Sequence, residues 1–338
     1  MRKYDGSQFE MLRRNHPHMQ QSGFAMLANI KGLDVPSFEL ADGMMARRAT
    51  DCEIDSLHNI LDLLRPYDSM RPIRNPYETA AQHVNVTASG YSTQVDELPI
   101  AEWRYYVISF DYRGSTDGYV ASSELIDWSV LSRQRLFSDL TIYNNGFGAP
   151  TFPYNSGALD RRWREMNYTD EYFANLTLCN LQDIRHVYEK MTCYSFERID
   201  LRAAVHSISQ LDKLPRFSPM RFLGYMAILE SILTHPPKQG DPYDSITRQV
   251  RQKMLLVSRR AVLEVPNQLL GIADGKKTWN DMYEYRSIIA HGGKADFKRR
   301  LASLKNSGLA LKFLEGATVS VLRQALEEPE LIADLRDC

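Results

Sequence analysis

Residues 277–293 read KTWNDMYEYRSIIAHGG, and this segment gives the clearest sign of how the C-terminal half of the chain folds. Trp279, Met282, Tyr283 and Ile289 recur at helical spacing, which predicts an amphipathic helix from Lys277 to His291. The paired glycines that close the segment are a common stop for such a helix. The pattern therefore indicates a helical half that has to bury this apolar stripe against other helices.

The last turn of the predicted helix carries two side chains suited to chemistry on a phosphodiester. Arg286 is a permanent cation, and His291 can exchange a proton near neutral pH. Arg286 falls on the apolar stripe, seven residues after Trp279, so its charge needs a partner or a bound anion. The five-residue spacing puts His291 about 140° around the helix from Arg286. The two groups can therefore meet through the long arginine side chain, a distortion at the helix end, or a symmetric dimer.

Two upstream segments, Arg221–Thr234 and Ser245–Val265, also have helical spacing. Their apolar positions predict core contacts, and these positions are Phe222, Met226, Leu229 and Leu233 in the first segment and Ile246, Val250, Val257 and Ala261 in the second. Glu230 lies on another stripe of the first helix, and two interpretations of it stay open. It is either a carboxylate at the edge of the core or a partner that orients Arg286 or His291.

The run Tyr285–Gly292 resembles the R-x4-6-H signature of HEPN domains, in which Ser287 supplies the polar residue often found just after the arginine. Residues Arg221–Thr234 are similar to the first core helix of the Apea-like branch of that superfamily. The segment Ser245–Val265 resembles the family's second long helix. The resemblance covers roughly residues 200–325, with the elements in the same order.

This resemblance implies a compact helical bundle that usually dimerises, so that two motifs form one composite site. Active members of the superfamily are metal-independent endoribonucleases, and Apea-like members are associated with bacterial defence against phage. Carried over by position, Arg286 would bind and polarise the scissile phosphate, and His291 would act as general base or acid around the 2′-hydroxyl. Ser287, Glu230 and Tyr285 would support them. The expected products are a 2′,3′-cyclic phosphate and a 5′-hydroxyl, and no cofactor or metal is implied.

The charge distribution is compatible with an RNA partner. The chain has 338 residues and a formal net charge of −1. Residues 251–310 nevertheless hold twelve Lys or Arg against five Asp or Glu, a net charge of +7. Lys294, Arg299 and Arg300 are the candidate RNA-binding residues of this basic segment. The alternative is that these cations lie on ordinary solvated helix faces.

The N-terminal part of the chain has a different pattern. Residues 84–95 alternate in part, and Tyr105–Phe110 is rich in β-forming residues, so strands predominate there. Asp51–Leu64 is predicted to be a helix from the spacing of its apolar residues. We expect an α+β protein, in which a β-rich mixed domain at residues 1–175 senses or regulates. An all-α HEPN-like helical bundle follows at residues 176–338.

Aromatic residues near the predicted strands leave one further interpretation open. They could stack bases as in single-strand binders, although such residues more often pack in a core. The residues are Trp103, Tyr105, Tyr106 and Tyr112, accompanied by Arg104 and Arg113.

The sequence also indicates where the protein resides. No run approaches the ~18 consecutive apolar residues of a membrane span. The N-terminus lacks the apolar run of a signal peptide, and the four cysteines have no paired spacing. His16 and His18 have no acidic or thiol ligand at a useful spacing, so no metal is expected there. We expect a cytoplasmic protein with free thiols and no membrane contact.

The sequence leaves two hypotheses about function. In the first, the protein is a homodimeric or larger ribonuclease that acts on cellular or phage RNA, with tRNA among the first substrates to test. Its N-terminal domain would respond to a phage-derived trigger or restrain the nuclease. In the second, the helical domain is a non-catalytic RNA-binding or dimerisation module.

Overall fold

The predicted α+β class is confirmed, because a strand-rich N-terminal region precedes a largely helical C-terminal region. By its internal contacts the chain divides into an N-terminal unit, residues 1–129 and 134–189, and a C-terminal unit, residues 130–133 and 190–338. The computed structural model describes residues 20–68, 71–87, 90–113, 117–144, 151–154, 156–166, 170–216, 218–237, 245–271 and 275–338. His16 and His18 lie outside these ranges.

The N-terminal unit contains eleven named strands among its described residues. They are β1 (Gln20–Met26), β2 (Ile30–Leu33), β3 (Ser37–Ala41), β4 (Met44–Arg48), β5 (Tyr67–Asp68), β6 (Arg71–Pro72), β7 (Thr79–Thr87), β8 (Gly90–Glu97), β9 (Tyr106–Arg113), β10 (Thr141–Asn144) and β11 (Ala174–Leu176). The helices are α1 (Asp51–Leu63), α2 (Gly118–Trp128), α3 (Ser156–Met166) and α4 (Leu178–Thr192).

The main sheet has the strand order β10-β1-β9-β4-β3, with antiparallel neighbours. β7 and β8 form a separate antiparallel hairpin, β5 pairs with β6, and β11 pairs in parallel with β2. Both stretches expected to be strands, residues 84–95 and Tyr105–Phe110, overlap strands in the structure. The partial alternation of the first stretch and the β-forming residues of the second thus gave the correct element type.

Helix α1 follows the spacing of its apolar residues. Ile54, Leu57 and Leu61 are buried, as their positions predicted. A capping box begins the helix, because Thr50 donates its backbone N–H to Glu53 Oε2 at 2.8 Å and its side chain accepts a backbone N–H in return. The local sequence therefore specifies both the start and the buried face of this helix.

Aromatic side chains fill much of the core beside α1. Tyr77, Tyr105 and Trp163 have no exposed surface. The Tyr77 ring packs edge-on against Trp163 and Phe173 at centroid distances of 6.4 and 5.9 Å. Tyr105 therefore belongs to the core rather than to a base-stacking surface. The side chains of Tyr112 and Arg113, which shared that interpretation, lie outside the described part of the structure.

The boundary between the units lies further along the chain than the predicted division at residues 175 and 176. Helix α4 begins directly after β11, and its residues Leu181 and Ile184 are buried in the N-terminal core. Most of this helix consequently counts with the N-terminal unit.

The C-terminal unit is helical throughout its described residues, apart from turns. Its helices are α5 (Leu201–Leu211), α6 (Pro219–Leu233), α7 (Ile246–Val257), α8 (Asn267–Leu270), α9 (Gly275–Ala290), α10 (Ser307–Glu327) and α11 (Pro329–Asp337). The four apolar positions predicted to form the core of α6 are all buried. Helix α9 also matches the predicted span to within two residues at its start.

The predicted second long helix is shorter than expected. Helix α7 ends at Val257, and the following residues form turns. Val262 donates its backbone N–H to Gln324 Oε1 at 3.2 Å, and the Ser320 hydroxyl donates to the carbonyl of Leu263. These bonds dock residues 262–263 on α10, so tertiary contacts end the helix where the apolar spacing alone would have continued it.

A buried charge network holds α10 within this unit. Arg323, with 4% of its side chain exposed, pairs with Glu327 at 3.0 Å, and Glu327 pairs with Lys190 at 2.5 Å. Arg323 also donates to the carbonyl of Leu131 at 3.1 Å. The last bond explains why residues 130–133 belong to the C-terminal unit although they lie far earlier in the sequence.

Candidate functional site

Helix α9 points its apolar face at the core of the C-terminal unit. Trp279, Met282 and Tyr285 are buried. Tyr285 lies between two phenylalanines, with ring centroids 4.7 Å from Phe222 and 5.1 Å from Phe297. Burial raises the pKa of Tyr285. Its position is that of a core residue, which holds the helix in place beside the neighbouring Arg286.

Arg286 lies on the same helix face as Trp279, as its position predicts. It is seven residues after Trp279, which is about 20° away around an ideal helix, and four after Met282, about 40° away. Its side chain is nevertheless 41% exposed, so it is only partly buried. The guanidinium is therefore open to solvent on one side.

Glu230 of helix α6 is the partner of this arginine. Glu230 Oε1 lies 3.2 Å from Arg286 Nε, and Arg286 Nη2 donates to Glu230 Oε2 at 3.3 Å. The carboxylate is 14% exposed, so it sits deeper than the guanidinium. Of the two interpretations of Glu230, the geometry favours a partner that orients Arg286.

Tyr283 is the third member of this group, and it was not a functional candidate from the sequence alone. Burial raises the pKa of Tyr283, and the nearby charge of Glu230 raises it further. Its buried hydroxyl nevertheless forms no hydrogen bond of normal geometry among the described residues. The sequence did indicate that Tyr283 would lie near Arg286, because residues three positions apart lie side by side on a helix.

The end of α9 is built by the glycines that follow it. Gly292 has a φ of +68°, a left-handed conformation that suits glycine. Gly292 donates its N–H to the carbonyl of Ile289 at 3.1 Å, and Gly293 donates to Ile288 at 2.8 Å. These two bonds define a Schellman motif. The predicted stop is therefore correct, and it fixes the backbone of His291 at the last turn.

His291 is exposed, and its backbone N–H donates to the carbonyl of Ser287 at 3.1 Å. Ser287 is exposed as well. No hydrogen bond or ion pair joins His291 to Arg286 in the described part of the chain. One copy of the motif therefore presents a cation and an imidazole on the same helix end without joining them.

The turn after α9 carries the candidate RNA-binding cations. Lys294, Arg299 and Arg300 are exposed. The Asp296 carboxylate accepts the backbone N–H groups of Lys298 and Arg299 at 3.0 and 3.2 Å, which fixes the turn. Arg300 forms an ion pair with Glu284, whereas Lys294 and Arg299 form none with the described carboxylates. Two of the three predicted cations thus present unpaired charge to solvent.

Metal binding and membrane insertion leave no signature in the described residues. They contain no group of three or more His, Cys, Asp or Glu side chains placed to hold a metal ion. None of the described helices combines enough length with enough apolar residues to traverse a lipid bilayer.

The site on α9 therefore belongs to a helical unit that offers an exposed cation, an exposed imidazole and a partly buried carboxylate. Comparison with protein-family models, curated proteins and solved structures gives no match for this chain. The HEPN resemblance consequently stays a prediction that rests on the residues named above.

Proposed function

We propose that the C-terminal unit is a metal-independent endoribonuclease of the HEPN type. The observation that carries this proposal is that Arg286 and His291 lie in the last turns of the same helix, with His291 exposed and Arg286 partly exposed. Arg286 is oriented by Glu230 yet open to solvent on one side, so an incoming phosphate can reach it. The unpaired cations Lys294 and Arg299 lie on the following turn, where they would attract an RNA backbone.

The proposed reaction uses the 2′-hydroxyl of the substrate as nucleophile. His291 takes the 2′-hydroxyl proton, the 2′-oxygen bonds to phosphorus, and the bond from phosphorus to the 5′-oxygen breaks. The protonated imidazole of His291 then returns this proton to the 5′-oxygen, which completes the 5′-hydroxyl product and leaves a 2′,3′-cyclic phosphate. Arg286 stabilises the charge that develops on the phosphoryl oxygens. Ser287 and Tyr285 flank Arg286, one in solvent and one in the core.

The proposal includes assembly and regulation. Since Arg286 and His291 do not meet within one chain, a homodimer or larger homo-oligomer would bring one arginine and the partner's histidine to the same phosphate. The N-terminal unit would respond to a phage-derived trigger or restrain the nuclease. The protein would then act in the cytoplasm in anti-phage defence or as a toxin, on cellular or phage RNA such as tRNA.

RNA cleavage in excess EDTA tests the proposal. We expect wild-type protein to cut a varied RNA pool and leave cyclic phosphate ends. His291→Ala should lower the rate ~10²- to 10⁴-fold because it removes the proton-transferring group. Arg286→Ala should lower it ~10²- to 10³-fold because it removes a preorganised cation.

Two variants provide matched controls for this assay. His206→Ala and Arg259→Ala remove an exposed histidine and an exposed arginine of the same unit that do not belong to α9, and they should cut like wild type. The proposal fails if wild-type protein leaves RNA intact in the presence and absence of the N-terminal unit's trigger, supplied as phage lysate. Normal cleavage by both His291→Ala and Arg286→Ala would show that these residues are not the catalytic site.

A binding or dimerisation module is the second candidate function. The observation that favours it is the ion pair itself, because Glu230 occupies two of the guanidinium nitrogens that a phosphate would otherwise contact. Under this alternative RNA binds and stays intact. A gel-shift measurement beside the cleavage assay separates the two functions.

A further inference from the structure

A cavity of about 410 Å³ is lined by residues of the N-terminal unit. Arg65 and Arg74 line it from the two ends of the β5–β6 pair, where Ile73 donates its N–H to the carbonyl of Pro66 at 2.8 Å. The base of the β7–β8 hairpin supplies Glu97. The volume falls within the range of about 300–1,000 Å³ that is typical of small-molecule sites.

One wall of the cavity is fixed by a closed hydrogen-bond network. Glu78 lines the cavity, and its Oε1 accepts a bond from the Tyr105 hydroxyl. His58 Nδ1 lies 2.7 Å from the same oxygen. Asn75, another lining residue, donates to the Tyr105 oxygen at 2.9 Å. A wall with its polar groups satisfied in this way is rigid before any ligand arrives.

Trp103 forms a flat, apolar part of the lining. Its indole N–H donates to the carbonyl of Leu98 at 3.0 Å, and its ring stacks on His58 with centroids 5.4 Å apart. Tyr105 packs against it edge-on at 5.9 Å. The indole is therefore held in one orientation at the cavity, where a planar ring can pack against it.

Arg65 has a donor that nothing in the described chain uses. One terminal nitrogen pairs with Asp62 at 2.5 Å, but the Nε atom is buried and has no hydrogen-bond acceptor. A buried guanidinium N–H without an acceptor is costly. The side chain as a whole is 26% exposed and lines the cavity, so an anionic group there would accept from the terminal part of the guanidinium.

We propose that this cavity binds a mononucleotide. Its phosphate would pair with Arg65, its base would pack against Trp103, and the N–H groups of the base would donate to Glu97. A bare anion would leave Glu97 without a donor, and an apolar molecule would offer the Arg65 guanidinium no acceptor. This proposal does not depend on the proposed nuclease, so either proposal can be correct if the other is wrong.

Calorimetric titration of the full-length protein with AMP, GMP, CMP and UMP tests the proposal, with inorganic phosphate as the probe that lacks a ring. We expect at least one nucleotide to bind with a Kd below about 1 mM, and phosphate to bind at least about tenfold more weakly. Arg65→Gln and Glu97→Gln should each weaken nucleotide binding at least about tenfold. Trp103→Phe should abolish the ligand-induced change in indole fluorescence.

Arg185→Gln provides the matched control, since this exposed arginine lies in the same unit outside the cavity and should bind nucleotide like wild type. The proposal is overturned if no nucleotide binds below about 1 mM, or if phosphate binds equally well. Unchanged binding by Glu97→Gln overturns it too. That variant alters an exposed residue, so it stays informative if Arg65→Gln fails to fold.

Discussion

The two units each contain a glutamate with a tyrosine and a basic side chain beside it, and the two groups differ in how completely they are hydrogen-bonded. In the Glu78 cluster (Glu78, Tyr105, His58) the glutamate accepts from the tyrosine, and the histidine lies 2.7 Å away. In the Glu230 cluster (Glu230, Tyr283, Arg286) the closest contacts are 3.2 and 3.3 Å. The buried Tyr283 hydroxyl forms no bond of normal geometry.

Burial does not explain this difference. Glu78 and Glu230 are 13% and 14% exposed, and their basic partners His58 and Arg286 are 40% and 41% exposed. The clusters differ instead in how many of their polar atoms have hydrogen-bond partners. A fully bonded cluster stabilises the fold, whereas an incompletely bonded one can still form a hydrogen bond to another molecule. Under the proposed function, the Glu230 cluster is therefore the one that would accept a phosphate, whereas the Glu78 cluster is a rigid wall.

The largest expected effect is the difference in stability loss when each of the two glutamates is replaced by alanine. Glu78→Ala leaves the buried Tyr105 hydroxyl without its acceptor, so the local free energy of unfolding should fall by about 2–3 kcal/mol. Glu230→Ala removes long contacts to a half-exposed arginine and should cost less than about 1 kcal/mol. Hydrogen exchange of amides in β9 and α9 measures each local value.

Glu189→Ala controls for the loss of a surface carboxylate, since Glu189 is 56% exposed and pairs only with its neighbour Arg185 among the described residues. Its effect should stay within about 0.5 kcal/mol. If Glu78→Ala and Glu230→Ala lower the local free energy of unfolding equally, the distinction between a closed and an incomplete cluster is wrong.

The Glu230 cluster also shows what the sequence could and could not reveal. Helical spacing located α6 and α9, and the paired glycines located the end of α9, because these are local effects of backbone geometry. Spacing placed Arg286 on the face of Trp279, but it did not indicate that the arginine side chain would be 41% exposed, because depth of burial depends on the neighbouring elements. The end of α7 depends on bonds from α10 residues more than fifty positions away, which no local pattern contains.

The cavity could not have been predicted from the sequence for a similar reason. Its lining comes from the β5–β6 pair, the β7–β8 hairpin and the residues before β9, which are brought together only by the tertiary fold. Glu230, by contrast, was a candidate from its sequence position, because a carboxylate on a core helix needs a cation. Which cation it pairs with depends on how α6 packs against α9.

An effect of intermediate size is expected on the stability of the protein at alkaline pH. The pKa values of Tyr105 and Tyr283 are raised, chiefly by burial and further by the adjacent glutamates. A raised folded-state pKa means that the unfolded chain loses its proton first, above about pH 10. The stability contributed by each tyrosine is complete below that pH and falls by about 1.4 kcal/mol per pH unit above it.

Phenylalanine variants isolate this effect and compare the clusters again. At neutral pH Tyr105→Phe should lower the unfolding free energy by about 1 kcal/mol, because it breaks bonds to Glu78 and Asn75. Tyr283→Phe should be neutral or stabilising, because it removes a buried hydroxyl without a hydrogen bond. Both variants should show a shallower alkaline decline than wild type in denaturant titrations. A slope unchanged by Tyr283→Phe would show that this hydroxyl already reaches water.

The smallest expected effect concerns a third glutamate and its cation, the surface pair of Glu284 and Arg300. Arg300 is 71% exposed, so Arg300→Ala should change the unfolding free energy by less than about 0.5 kcal/mol. Its effect on RNA binding should also be small, because Glu284 already neutralises the guanidinium. Arg299→Ala, which removes an unpaired cation one residue earlier, should reduce the salt slope of RNA binding by about one.

Glu284→Gln sharpens this contrast, since it frees Arg300 without changing the size of the side chain. We expect Glu284→Gln to strengthen RNA binding at low salt, and the gain to disappear in the double variant with Arg300→Ala. Fluorescence anisotropy of a labelled RNA over a range of salt concentrations measures RNA binding by the wild type and the four variants. If Arg300→Ala weakens RNA binding as much as Arg299→Ala does, an ion pair with a glutamate does not prevent an arginine on this surface from contributing to RNA binding. The ion pair of Arg286 with Glu230 would then be no obstacle to a phosphate either.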